Sequence, residues 1–73
     1  MPKHKGLPIA NQIRRLRFEH AEMTQSDLAE RIGVTRQTIA AIEAAKYGPS
    51  LEAAFRIAQV FGVSLEDVFQ WDD

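Results

Sequence analysis

The stretch from Gln25 to Ala44, QSDLAERIGVTRQTIAAIEA, limits what this chain can fold into more than any other part of it. Aliphatic side chains stand at its fourth, eighth, tenth, fifteenth and eighteenth places: Leu28, Ile32, Val34, Ile39 and Ile42. Steps of three and four residues put an apolar stripe on each of two short helices. Ala29 is small enough to let the second helix approach the first, and Gly33 tolerates positive φ where the chain turns between them. The five aliphatics then hold the helices at one angle, so the outward face of the second helix projects rigidly. By themselves these positions establish a core and not a function, since helix pairs of this kind occur in many proteins.

Helical spacing continues through nearly the whole chain with no long alternating run, so the expected fold class is all-α with five helices. The first helix is predicted from Ile9 or Asn11 to His20, with Ile13 and Leu16 inward and Phe18 a further inward candidate. Thr24 caps the second, with Asp27 as its capping-box partner, and Thr35 caps the third. After the break at Gly48-Pro49-Ser50, a fourth helix capped by Ser50 buries Leu51, Ala54, Phe55, Ala58 and Phe61 and stops at Gly62. Ser64 caps a short fifth helix carrying Leu65, Val68 and Phe69. Residues 1–8 read as a flexible arm, 9–71 as one domain around the 25–44 unit, and 72–73 as an acidic tail.

The chain has 73 residues and no cysteine, so a single small core must hold without disulfide staples. Efficient helix packing, a partner subunit, or both are needed. Missing cysteines also exclude thiolate metal sites and fit a cytoplasmic location, and no apolar run is long enough to span a membrane. His4 and His20 stand without ligand-spaced companions, there is no glycine-rich phosphate loop, and serines 26, 50 and 64 lack a histidine base. No enzyme, cofactor or metal is expected.

The net charge of −1 conceals a division. Residues 1–46 carry eight Lys and Arg against five acids, while residues 47–73 carry Arg56 against five acids. That is either a basic working face with an acidic far side or an ordinary mixed surface. The outward start of the third helix, Thr35-Arg36-Gln37-Thr38, sharpens the choice. Arginine can bond guanine O6 and N7 bidentately, and glutamine can do the same for adenine N6 and N7.

Three ordered blocks carry a family likeness: TQxxLAxxxGVTRQTIxxIE over Thr24–Glu43, KYxPSL over Lys46–Leu51, and GVSLEDVFQW over Gly62–Trp71. Together they resemble the Cro/C1-type, or XRE, helix-turn-helix regulators over roughly Asn11 to Trp71. The resemblance implies a lambda-repressor-like domain that regulates transcription, in its simplest form a repressor of bacterial or phage type, with the third helix in the major groove of double-stranded DNA. It puts base contacts on Arg36, Gln37, Thr38 and Ala41, with Thr38 open between base and phosphate. Ala41 would meet a thymine methyl or be a plain surface alanine. Phosphate contacts fall on Gln25, Thr35, Lys46, Tyr47 and Arg14, and Tyr47 is equally readable as packing on the core. Arg15, Lys3 and Lys5 are candidates for looser contact. Arg17 and Glu43 match the family's structural ion pair.

One recognition helix covers few base pairs, so a homodimer reading an inverted repeat one DNA turn apart is expected. Leu65, Val68, Phe69 and Trp71 are its candidate interface, with Leu65 and Val68 near the axis. Trp71 folding back on Ile9 as a two-stranded pairing of the chain ends is a competing and compatible expectation. An antitoxin-like protein of the same fold that binds a toxin partner is the alternative function, and a helical module that has lost DNA binding is another. Two departures from the family bear on geometry. Ala44-Ala45 replaces the usual Asn-Gly, which predicts that the third helix runs into Lys46 and stops at Gly48. The connection His20-Ala21-Glu22-Met23 is one residue longer than usual.

Overall fold

A computed structural model describes residues 8–72; Lys3, Lys5 and the rest of the arm before Pro8, and Asp73, lie outside the described residues. The order is β1 (Ile9–Asn11), α1 (Ile13–Glu19), α2 (Gln25–Ile32), α3 (Arg36–Glu43), α4 (Leu51–Phe61), α5 (Leu65–Val68) and β2 (Phe69–Trp71). Four helices start on a hydroxyl: Thr24, Thr35, Ser50 and Ser64 accept from the amides of Asp27, Thr38, Ala53 and Asp67. At Thr24 and Ser64 the aspartate answers by accepting the cap residue's own N–H, which completes a capping box. Gly33, at φ 78°, turns α2 toward α3 in the left-handed region. No atom would crowd a side chain there, so backbone conformation alone selects glycine.

Ile13, Leu28, Ile39, Ile42, Ile57 and Val68 are fully buried and draw on every helix, so all five helices close on one core. β1 and β2 join the ends antiparallel, with Ile9 opposite Trp71, Ala10 opposite Gln70 and Asn11 opposite Phe69. The Asp72 amide extends the pairing to the Pro8 carbonyl at 2.8 Å, so Pro8 belongs to the domain and not to an arm.

Several expectations are corrected. α1 starts at Ile13, because Ile9–Asn11 finds strand partners at the other chain end. Phe18 is 53% exposed, lying under the Arg14 and Arg17 guanidiniums and not in the core. In α4 the buried stripe is Ala53, Ala54, Ile57, Ala58 and Phe61, which leaves Leu51 69% and Phe55 51% exposed. Three alanines on the inner face let α4 seat closely on α2 and α5, and that contact turns the larger side chains outward. Val68 is 0% exposed within the single chain, so it packs the core and is unavailable to a subunit interface.

The end of α3 also differs from expectation. The helix stops at Glu43, and Ala45 takes the left-handed conformation at φ 57°. Lys46 N–H reaches Ala41 O and Ala45 N–H reaches Ile42 O, both at 3.0 Å, the two bonds of a Schellman ending. An alanine therefore stands where glycine is ordinarily found, and Gly48 is not the stop.

The long α1–α2 connection is absorbed by two successive left-handed residues, Ala21 and Glu22. Arg17 holds this turn from both ends. Its carbonyl accepts Met23 N–H at 2.9 Å, and its Nη1 donates to Met23 O at 2.8 Å. His20 caps α1, with Nδ1 2.8 Å from Leu16 O and its ring against buried Phe61.

Candidate nucleic-acid interface

α3 presents its inner face through Ile39 and Ile42 and keeps Arg36 and Gln37 exposed at its start. Thr35 Oγ1 accepts from Thr38 N–H at 3.1 Å and lies 3.0 Å from Thr38 Oγ1. These two threonines therefore stiffen the first turn that carries Arg36 and Gln37. Thr38 and Ala41 are partly buried on the same helix.

The far end of α3 is held as firmly. Its last four carbonyls are all satisfied: Ala40 by Ala44 N–H, Ala41 by Lys46 N–H, Ile42 by Ala45 N–H and by Asn11 Nδ2, and Glu43 by Asn11 Nδ2. Asn11 is the residue that sequence reasoning missed. Its Nδ2 lies 3.1 Å from Ile42 O and 3.3 Å from Glu43 O, while its Oδ1 accepts Ile13 N–H at 3.2 Å. One amide thus caps the start of α1 and the end of α3. No local signal points to it, since the carbonyls it bonds lie more than thirty residues away in sequence.

Arg17 and Glu43 form a bidentate pair across the core edge, Nε to Oε2 at 2.7 Å and Nη2 to Oε1 at 3.2 Å. Their side chains are 12% and 11% exposed. Gln25, the first residue of α2, extends the pair outward. Its Nε2 donates to Glu43 Oε1 at 3.2 Å, and its Oε1 accepts from Arg36 Nη1 at 3.3 Å. Asp27, at the same end of α2, has its carboxyl held below the ordinary value because the Thr24 backbone N–H donates to the ionised form, with the Thr24 hydroxyl second.

Two shallow depressions join these residues into one surface. One, of about 470 Å³, runs from Arg17 and Phe18 past Thr24 and Gln25 to Arg36. The other, of about 320 Å³, holds Asn11, Arg14, Gln25, Ala40, Glu43 and Ala44. Gln25 belongs to both, so Arg14, Gln25 and Arg36 are brought together. Lys46 and Tyr47 line neither; they are exposed in the turn after α3. Leu65 and Phe69 are half-buried beside an apolar depression of about 290 Å³ that also includes Ile9 and Leu51, and Trp71 is 70% exposed.

Two helices joined at a left-handed glycine, the second braced at both ends and polar on its outer face, make this a helix-turn-helix domain. Residues 13–68 match the helix-turn-helix family, and the chain belongs to that family in its Cro/C1, or XRE, form. It is similar to an uncharacterized HTH-type transcriptional regulator of Methanocaldococcus jannaschii, with 52% identity over 89% of this chain and 97% of that one. The regulator YgzD of Bacillus subtilis, also uncharacterized, is 46% identical over 84% of this chain and 91% of its own. Among solved structures, a Bacteroides fragilis protein to which DNA binding has been ascribed superposes with a TM-score of 0.74 at 26% identity, covering 85% of this chain and 98% of the other.

Proposed function

We propose that this protein is a transcriptional regulator that binds operator DNA sequence-specifically as a homodimer, with α3 in the major groove, and that it represses by occupying a promoter. The observation that carries the reading is the outward start of α3, where Arg36 and Gln37 are exposed on a helix braced at both ends. A stiff support matters because base discrimination requires donors and acceptors to arrive in fixed positions. In this reading Arg36, Gln37, Thr38 and Ala41 face bases, and Gln25, Thr35, Arg14, Lys46 and Tyr47 face the backbone. The twofold partner is supported by the apolar seam of Ile9, Leu51, Leu65 and Phe69, with Phe55 and Trp71 exposed as well. Val68 has no part in it.

Selection of bound duplexes from a randomised pool tests the reading. An inverted repeat should emerge, with half-sites about one helical turn apart. Arg36→Ala should lose preference for one base pair in each half-site, at a cost of about 1–3 kcal/mol. Unchanged affinity and unchanged preference in that variant would overturn the assignment of the reading face.

A further inference from the structure

Asn11 belongs to two parts of the molecule at once. It is the last residue of β1, opposite Phe69 in β2, and its Nδ2 donates to Ile42 O and Glu43 O at the end of α3. Side chains directly opposite each other in an antiparallel pair share a face, and alternate residues of a strand return to it. Ile9, Asn11, Phe69 and Trp71 therefore lie on one face of the chain-end sheet. Ile9 and Phe69 also line the apolar depression with Leu51 and Leu65. The side chain that holds the end of α3 thus stands on the same small sheet face as two residues of the proposed subunit seam.

Satisfying carbonyls is not enough to account for this arrangement. Ile42 O already accepts Ala45 N–H, and Glu43 borders a surface depression where water can serve its carbonyl. What water cannot supply is attachment to β1. α3 packs chiefly on α2, and Asn11 fixes its far end directly to the sheet. We infer that Asn11 is a positioning residue that sets the separation and tilt of the two α3 helices in a dimer, and so determines which spacing between half-sites the protein accepts, although it meets no base. This rests on the reading of the protein as a homodimer on an inverted repeat. From the seam to α3 the path runs through Phe69, Asn11 and the Ile42 and Glu43 carbonyls, a strand pairing and two hydrogen bonds with no loop between them. Each base pair added between half-sites moves one of them by about 3.4 Å and turns it by about 35°. A stiff dimer cannot follow that change, so it engages one half-site and forfeits the gain of the second. A dimer whose α3 ends are released can follow it.

The probes are the inverted repeat selected by the wild type, the same duplex with one base pair added or removed at its centre, and the same duplex with the Arg36-dependent base pair exchanged. Asn11→Ser removes the amide that reaches α3 and keeps an oxygen for Ile13 N–H. Asn11→Asp keeps that acceptor too, but sets a carboxylate oxygen against the two carbonyls. The wild type should lose about tenfold or more in affinity when the spacing changes by one base pair, and both variants should narrow that ratio to about threefold or less. Their discrimination against the exchanged base pair and their sedimentation should match the wild type. Asn11→Asp carries the test if Asn11→Ser does not fold. A wild-type spacing ratio in a folded variant, whether or not its affinity falls on every duplex alike, would overturn the inference and leave Asn11 as a structural cap. Loss of base discrimination along with spacing preference would overturn it as well, because α3 would then be loosened as a whole. A wild type indifferent to spacing would overturn the homodimer reading beneath, and the inference with it.

Discussion

Arg17 engages Glu43 and the Met23 carbonyl from a nearly closed position, so the two partners are worth far more together than either is alone. Glu43→Ala leaves a guanidinium mostly out of water without its counter-charge and should cost on the order of 3 kcal/mol. Thermal denaturation should register a fall of about 10–20 °C for a chain of this size. Arg15 and Glu19 form an exposed pair one helical turn apart at 3.1 Å, and Arg15→Ala should cost less than about 0.5 kcal/mol. Similar costs for the two substitutions would refute the structural role assigned to the Arg17 pair. Asp27 differs in kind, since it is exposed and acts through charge. Its folded-state pKa lies below its unfolded value, so its stabilisation is fully present above the ordinary carboxylate pKa of 3.8 and is lost as pH falls through the lower folded value. The melting temperatures of wild type and Asp27→Ala should therefore converge in acid, and a gap that stays constant to pH 2 would contradict the capping account.

At the scale of elements, the end of α3 is the most instructive. A left-handed alanine costs about 1–2 kcal/mol relative to its right-handed form, and Ala45 bears that cost so that two orphan carbonyls can be met. Ala45→Gly should remove the strain but loosen the unfolded chain, for a net gain of about 0.5–1 kcal/mol. Melting should rise by a few degrees with no change in the far-ultraviolet spectrum. No gain would mean that Lys46 and Tyr47 already hold the turn by other contacts. In α4 the element itself was plain from Ser50 and Gly62, but its rotation was not. Leu51, Ala54, Phe55, Ala58 and Phe61 make as regular a stripe as the observed one and share Ala54, Ala58 and Phe61 with it, so the two faces differ by less than the roughly 100° step of one residue. The tertiary structure buries Ala53 and Ile57 where the pattern had offered Leu51 and Phe55.

For the molecule as a whole, pairing the chain ends places β2 and α5 beside β1 and collects Ile9, Leu51, Leu65 and Phe69 around one depression whose lining shares no residue with the Arg14–Gln25–Arg36 surface. If that seam meets a second copy, Leu51→Glu should shift sedimentation toward the monomer without lowering the melting temperature appreciably, because the side chain is 69% exposed. Val68→Glu should instead unfold the chain, since it would bury a carboxylate where no space or partner exists. A wild type that sediments as a monomer at high concentration would remove the twofold model and leave a single-headed DNA ligand.

Sequence alone determined what depends on a few adjacent residues. The four hydroxyl caps, the glycine turn at Gly33, the aliphatic frame from Leu28 to Ile42 and the polar start of α3 are each written within one helical turn of where they act. Tertiary structure decided the rest: which side of α4 faces inward, that Val68 is core, that Ile9–Asn11 becomes a strand, and that Asn11 bonds the last carbonyls of α3. Each of those outcomes turns on a partner far along the chain. A local pattern can state that a group needs burial or a hydrogen bond, but only the closed fold determines who supplies it.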